Sequence, residues 1–230
     1  MRLDKYLSNA GTGSRSKVKA MIKKKRVEVD GVVATDPKSE TAHDSVVMVD
    51  GVRIILENHI YLMLNKPKGV ISSTEKGQAR TVMDLIDHPQ KDELFPVGRL
   101  DKDTTGLLLI TNDGRFAHEL LSPKHKIGKT YVAKLKKDVS SSDIETLEKG
   151  IPLKDFTTAP AAARRIAERE VELTITEGKF HQVKRMFQYL GNEVTDLHRT
   201  RIGEMVLDEI LPAGSCRRLH ENELKLLKKV

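Results

Sequence analysis

Leu3, Tyr6, Leu7 and Ala10 recur at i, i+3, i+4 and i+7, one face of a short helix that stops near Gly11 to Gly13. Ser14 or Ser16 is placed to cap a second helix, with Val18, Met21 and Ile22 towards a core and Lys17, Lys19, Lys23 and Lys24 largely outside it. The pattern then changes to alternation. Val27-Glu28-Val29 runs into Asp30-Gly31, a pair that supplies two positive-φ turn positions, and the same device recurs between Val46 and Arg53 around Asp50-Gly51. Two helices followed by hairpins predict a small module of about 55 residues.

A new apolar strand begins at Tyr61-Leu62-Met63-Leu64 with no Pro- or Gly-rich linker before it, so the boundary is set near residue 58, giving units 1–58 and 59–230. Leu107 to Thr111 reads as a buried strand stopped by Asn112-Asp113-Gly114, then a helix carrying Phe116, Ala117, Leu120 and Leu121 ahead of Pro123. Tyr131 to Leu135 is a strand, and Ser142-Asp143-Ile144-Glu145 reads as a capping box opening a helix that Gly150 closes. Val171, Leu173 and Ile175 alternate as a half-buried strand. Beyond Glu177-Gly178, a helix shows Val183, Met186, Phe187 and Leu190 on one face and ends at Gly191. Strands and helices mix without a strict βαβ rhythm. The expected fold class is α+β: a helix-helix-hairpin module, then a larger domain with a mixed, mostly antiparallel sheet and flanking helices.

Charge changes this picture at one end only. The 230 residues carry 40 Lys or Arg against 33 Asp or Glu, a net of +7. Residues 1–26 hold nine basic side chains (Arg2, Lys5, Arg15, Lys17, Lys19, Lys23, Lys24, Lys25, Arg26) against Asp4 alone, a net of +8, so the rest of the chain sums to −1. A lone basic run is often just a solvated helix face. Here it sits inside a folded pattern, which favours a surface for a phosphate backbone, where clustered cations gain from counterion release. Cys216 is the single cysteine, which excludes an internal disulfide framework, a four-cysteine zinc site and a thioredoxin-type pair. No apolar run reaches membrane-spanning length, and residues 1–26 lack the apolar stretch of a signal peptide, so a cytoplasmic protein with no membrane partner is expected.

Several chemistries lack their residues. Gly128-Lys129-Thr130 imitates the end of a phosphate loop, but Pro123 stands where that loop needs glycine. There is no G-x-G-x-x-G and no G-x-S-x-G. His118, His125 and His181 lack the i, i+4 pairing of a zinc protease and read as surface histidines. What remains is Phe95 to Gly114, a glycine-flanked loop bringing Arg99 and Asp101 to the edge of a buried strand, with Thr104, Thr105 and Gly106 fixing the turn. A carboxylate beside a cation on a rigid edge suits covalent or acid–base work, though an ordinary loop aspartate fits the same pattern.

RLDKYLSNAG followed by SRSKVKAMIKKKRVEVDGVV resembles the alpha-L RNA-binding module of a small-subunit ribosomal protein and of several RNA-modifying enzymes. That resemblance implies that Arg15, Lys19, Lys23, Lys24, Lys25 and Arg26 lie on structured RNA. LFPVGRLDKDTTGLLLITNDG, preceded by LMLNKPKGVISS and followed by KTYVAKL and EGKFHQVKRMF, resembles the rRNA pseudouridine synthases of the small-subunit, RsuA-type branch. These four blocks stand in family order and, with the first module, cover nearly the whole chain.

The second resemblance implies a reaction on a uridine of folded 16S rRNA, whose N1–C1′ bond breaks and whose C5 then bonds the same sugar carbon, with no cofactor or metal. Asp101 matches the essential carboxylate, acting on the sugar carbon or on a sugar proton. Tyr131 matches an aromatic that stacks on the uracil, with a hydroxyl able to assist proton transfer at C5. Lys184 matches the basic partner of the aspartate, where many relatives have Arg, and Arg185 is the alternative. Arg99 matches a residue that helps occupy the space of the flipped base. Lys66 and Lys68, with Lys124 and Lys126, are expected at phosphates. The implied partner is ribosomal RNA or a small-subunit assembly intermediate, met by a monomer. A catalytically silent RNA-binding assembly factor, or the same reaction on a large-subunit uridine, are the competing readings.

Overall fold

A computed structural model describes residues 1–42, 44–75 and 77–228, which fall into two compact units. The first comprises Met1–His59 together with Asp87–Leu94. Helix α1 (Leu3–Asn9) is followed by α2 (Arg15–Lys23), whose cap is Ser14, its side chain accepting from the Lys17 N–H. Strands β1 (Val27–Val29), β2 (Val32–Val33), β3 (Val47–Val49) and β4 (Val52–Ile54) form an antiparallel sheet in the order β2-β1-β3-β4. Both Asp-Gly turns have positive φ at both residues, the backbone that joins two strands in two residues. Leu3, Leu7, Val18, Ile22, Val27 and Val47 are wholly buried together.

Segment 87–94 joins this unit although it is distant in sequence. Glu93 receives Lys5 at 2.8 Å and the Asn9 amide at 3.1 Å. The expected division into 1–58 and 59–230 groups that segment differently, because a long-range ion pair leaves no periodic trace.

The second unit comprises Ile60–Ile86 and the chain from Phe95 onward. Its strands are β5 (Tyr61–Lys66), β6 (Phe95–Pro96), β7 (Thr105–Thr111), β8 (Lys129–Leu135), β9 (Ala162–Ala167), β10 (Glu170–Ile175), β11 (Val194–Ile202), β12 (Met205–Val206) and β13 (Cys216–Arg218). The main order is β13-β5-β7-β11-β8-β10-β9, with β6 on β7 and β12 on β11. Only the β7–β11 pair is parallel among the described residues. The mixed, mostly antiparallel sheet and the α+β class are therefore as the sequence predicts.

Helices α3 (Gly114–Leu121), α4 (Ser141–Lys149), α5 (Gln182–Tyr189) and α6 (Glu221–Lys228) flank the sheet. Phe116, Ala117 and Leu120 of α3 bury against Met63, Leu107 and Leu109. β7 lies between β5 and β11 and is buried along nearly its whole length, as its unbroken apolar run requires. The α4 cap is Ser140, not Ser142: Ser140 and Asp143 make the reciprocal box, and the overlapping Ser142–Glu145 spacing is not used for it. Among the described residues no helix is long and apolar enough to cross a membrane.

Candidate active site

The loop between β6 and β7 carries Arg99, Asp101 and Asp103, and a buried lysine holds it in shape. Lys66, at the end of β5 and fully buried, donates from Nζ to the carbonyls of Asp101 at 2.9 Å and Thr104 at 2.8 Å. Around it, Gly69 N–H donates to Lys102 O at 2.8 Å, and Ser72 Oγ accepts from Leu100 N–H and donates to Leu100 O. Burial drives the Lys66 pKa down to about 8, with Arg199 and Lys184 adding to the fall and Asp101 and Asp103 opposing it. Lys66 is thus no phosphate contact: its head is consumed inside the protein by backbone carbonyls. Lys68 keeps an exposed head, paired at 2.6 Å with Asp196, and Lys124 and Lys126 are exposed.

Asp101 faces the start of α5. Lys184 Nζ stands 3.1 Å from Asp101 Oδ2 and 2.6 Å from Asp103 Oδ1. Burial works against the ammonium, but its hydrogen bonds to Asp103 and Asp101 outweigh that and hold Lys184 above the ordinary lysine value. Asp103 in turn is held below the usual carboxylate range by the Lys184 hydrogen bond. The alternative partner, Arg185, points elsewhere: it ion-pairs with Asp155 and covers the Phe156 ring at 5.3 Å. Consecutive positions on a helix face different ways, so only one of the two basic neighbours reaches the aspartate.

His181 belongs to the site as well. Its Nε2 lies 3.5 Å from Asp101 Oδ1, and its backbone is left-handed with φ +50. The turn before α5 enforces that conformation: Gln182 Oε1 accepts from Lys179 N–H at 3.0 Å, and Gln182 Nε2 donates to Glu177 at 2.8 Å. Reading His181 as a surface histidine is corrected on this geometry. The sequence signal that could have found it is its place directly before Gln182 and Lys184 in the EGKFHQVKRMF block.

Across the cleft, Tyr131 of β8 is buried and stands opposite Arg199 of β11 in register. Arg199 is itself buried. Its Nε donates to Leu107 O at 2.8 Å, and its guanidinium carbon lies 5.9 Å from the Tyr131 ring centre. Arg199 carries no motif spacing and was not predicted. Gly106 admits it: at φ +100, a Cβ there would stand 2.3 Å from Arg199 O. The glycine is required by the close approach of β7 and β11, and not by the turn to which its sequence context points.

One cleft is lined by Arg99, Asp101, Thr104, Tyr131, His181 and Lys184, with Ile175 and Leu197 also in its wall. It offers a carboxylate with a counter-charge, an aromatic ring beside a buried guanidinium, and an apolar wall suited in chemistry to a flat heterocycle. In the first unit, Arg15, Lys19, Lys23, Lys24 and Lys25 are exposed, and Arg26 is exposed while bonded through Nε to Asp50 at 2.8 Å.

Residues 60–189 match the family described as RNA pseudouridylate synthase, and residues 1–41 match the S4 domain. The uncharacterized RNA pseudouridine synthase YtzG of Bacillus subtilis is 47% identical, covering 99% of this chain and 98% of its own. Ribosomal small subunit pseudouridine synthase A is 44% identical in Vibrio cholerae and 41% in Escherichia coli, in each case over 97% of this chain and 98% of the relative. A crystal structure of a pseudouridylate synthase superposes with a TM-score of 0.72 at 36% identity, covering 99% of both chains. With the cleft and these matches together, the chain belongs to the RNA pseudouridine synthase family, on its RsuA-type small-subunit branch, with an S4 domain at its front.

Proposed function

We propose that this protein converts one uridine of small-subunit ribosomal RNA to pseudouridine, with Asp101 as the essential carboxylate. The observation that carries the reading is Asp101 on a braced loop, 3.1 Å from the Lys184 ammonium, in a cleft walled by Tyr131. The reaction breaks N1–C1′, forms C5–C1′, and moves a hydrogen from C5 to N1, so no electrons enter or leave. An ionised carboxylate serves it as a nucleophile at C1′ or as a base on the sugar, and Lys184 balances its charge in either role. Tyr131 offers a stacking face for the released uracil, and its hydroxyl is the group in that wall able to pass a proton at C5. Arg99, exposed at the mouth, suits the gap left by the extruded base.

The exposed cations of the S4 domain supply affinity and register through phosphates, separate from the chemical step. RNA is the macromolecular partner. The protein acts as a monomer in the cytoplasm on this reading, since one chain contributes every group the step uses. Mapping pseudouridine in 16S and 23S rRNA with and without the protein tests it. Loss of a single 16S pseudouridine, restored by the purified protein on unmodified transcript, is expected. An unchanged map, or a loss confined to 23S rRNA, overturns it.

A further inference from the structure

Phe180 is 71% exposed, while the other phenylalanines are buried or half-buried. An exposed apolar side chain on a turn is ordinary by itself. This one is held. Its ring stacks on His181 at 3.8 Å between centroids and 19° between planes. The His181 ring in turn reaches Asp101 at 3.5 Å, and the backbone beneath is the left-handed turn braced by Gln182 and Glu177. A residue without glycine's freedom, kept in that conformation beside a site, points from strain to use.

The pair also has a cleft of its own. Ser72, Ser73, Arg99, Lys102, Phe180 and His181 line a second depression that shares Arg99, Asp101 and His181 with the first. Arg99 and Lys102 are exposed there, so its rim is cationic, and of the apolar residues in its lining Phe180 is the exposed one, Ile71 being half-buried and Leu100 buried. Cations for a phosphate, the Ser73 hydroxyl for a sugar and a flat ring for a base are the complement of one nucleotide, while the Ser72 hydroxyl stays with Leu100. The two clefts share the Asp101–His181 wall, so whatever fills one lies beside whatever fills the other, as neighbouring nucleotides do on a splayed strand.

We propose that the Phe180–His181 stack is a second nucleotide subsite, which holds the base adjacent to the target uridine while that uridine occupies the Asp101 cleft. This rests on the reading of the chain as an RNA pseudouridine synthase. Holding the neighbour keeps the strand splayed, so the subsite acts on substrate binding and on the choice of sequence around the target, and Phe180 is a positioning residue, not a catalytic one.

The experiment uses the full-length protein and an rRNA fragment around its mapped pseudouridine, made with an abasic residue on the 5′ or the 3′ side of the target. Phe180→Ala should raise KM on the intact fragment by about 5- to 150-fold, the range of one base stacked on one ring, with a smaller effect on single-turnover rate at saturation. Phe180→Trp should restore it. For wild type, one of the two abasic fragments should bind as weakly as the intact fragment binds to the Ala variant, and that fragment should not distinguish wild type from Ala. An unchanged KM for the Ala variant, or equal losses for it on intact and both abasic fragments, overturns the subsite. A wild-type protein that forms no pseudouridine on any rRNA instead overturns the underlying reading, so the two failures are distinct.

Discussion

Replacing Lys66 with methionine tests whether the loop bearing Asp101 is held from beneath. The change keeps length and burial but removes the ammonium that donates to Asp101 O at 2.9 Å and Thr104 O at 2.8 Å. A hydrogen bond from a charged donor is worth about 1.5–3 kcal/mol, so two give about 3–6 kcal/mol. A buried methionine returns roughly 1–2 kcal/mol of that through apolar burial and relieved desolvation. The expected net loss is about 1–5 kcal/mol, read by urea unfolding at pH 7. Because the freed carbonyls belong to the loop itself, Asp101 shifts, and about 10- to 100-fold should be lost in single-turnover pseudouridine formation.

The same lysine predicts a pH signature. Its folded-state pKa is lowered to about 8 from 10.5. Between these values the unfolded chain keeps a proton that the native one sheds, so this group's contribution to stability rises with pH there. It is at its least favourable below about pH 8. The neutral amine keeps two N–H donors for the Asp101 and Thr104 carbonyls, so the loop stays braced through this titration, and the rise in stability between about pH 8 and 10.5 should be present in wild type and absent from the Met variant. A Lys66→Met protein with native stability and a rate within about twofold of wild type refutes the reasoning.

Three further perturbations separate fold, placement and chemistry. Gly106→Ala puts a methyl 2.3 Å from Arg199 O, so it should cost more than about 4 kcal/mol or prevent folding, whereas Gly31→Ala, with open space around it, should cost about 1 kcal/mol; thermal melts of the two decide it. Changing Lys23, Lys24, Lys25 and Arg26 together to Gln should weaken RNA binding and flatten its salt dependence by roughly 0.7–0.9 for each phosphate no longer neutralised, with the saturated single-turnover rate little altered. Lys184→Met should lower that saturated rate while leaving RNA affinity nearly unchanged, and Arg185→Met should not, because only Lys184 reaches Asp101.

Elements governed by neighbours in sequence were legible and those governed by distant ones were not. Asp30-Gly31 and Asp50-Gly51 announce their hairpins because the positive φ that such turns need is local chemistry. The α4 cap slipped by two residues because Ser140 and Ser142 both precede an acid by three, and spacing cannot choose between them. Lys66 reversed expectation and Arg199 went unpredicted for a different reason. Basic residues on strands read as solvent or phosphate contacts, yet each is buried against carbonyls of a segment far along the chain, Asp101 and Thr104 for one and Leu107 for the other. His181 reads as a surface histidine in the sequence because its role depends on a left-handed turn that only its hydrogen-bonded surroundings impose.

Single-turnover formation of pseudouridine by Asp101→Asn, on unmodified 16S transcript at saturating protein, tests the central claim most directly. The amide keeps the shape of the side chain but removes the charge and the nucleophilic or basic oxygen. The prediction is RNA binding close to wild type with no detectable pseudouridine, while the wild-type protein modifies one site. Turnover by the Asn protein within a few-fold of wild type contradicts the assignment of Asp101 as the carboxylate on which the reaction depends.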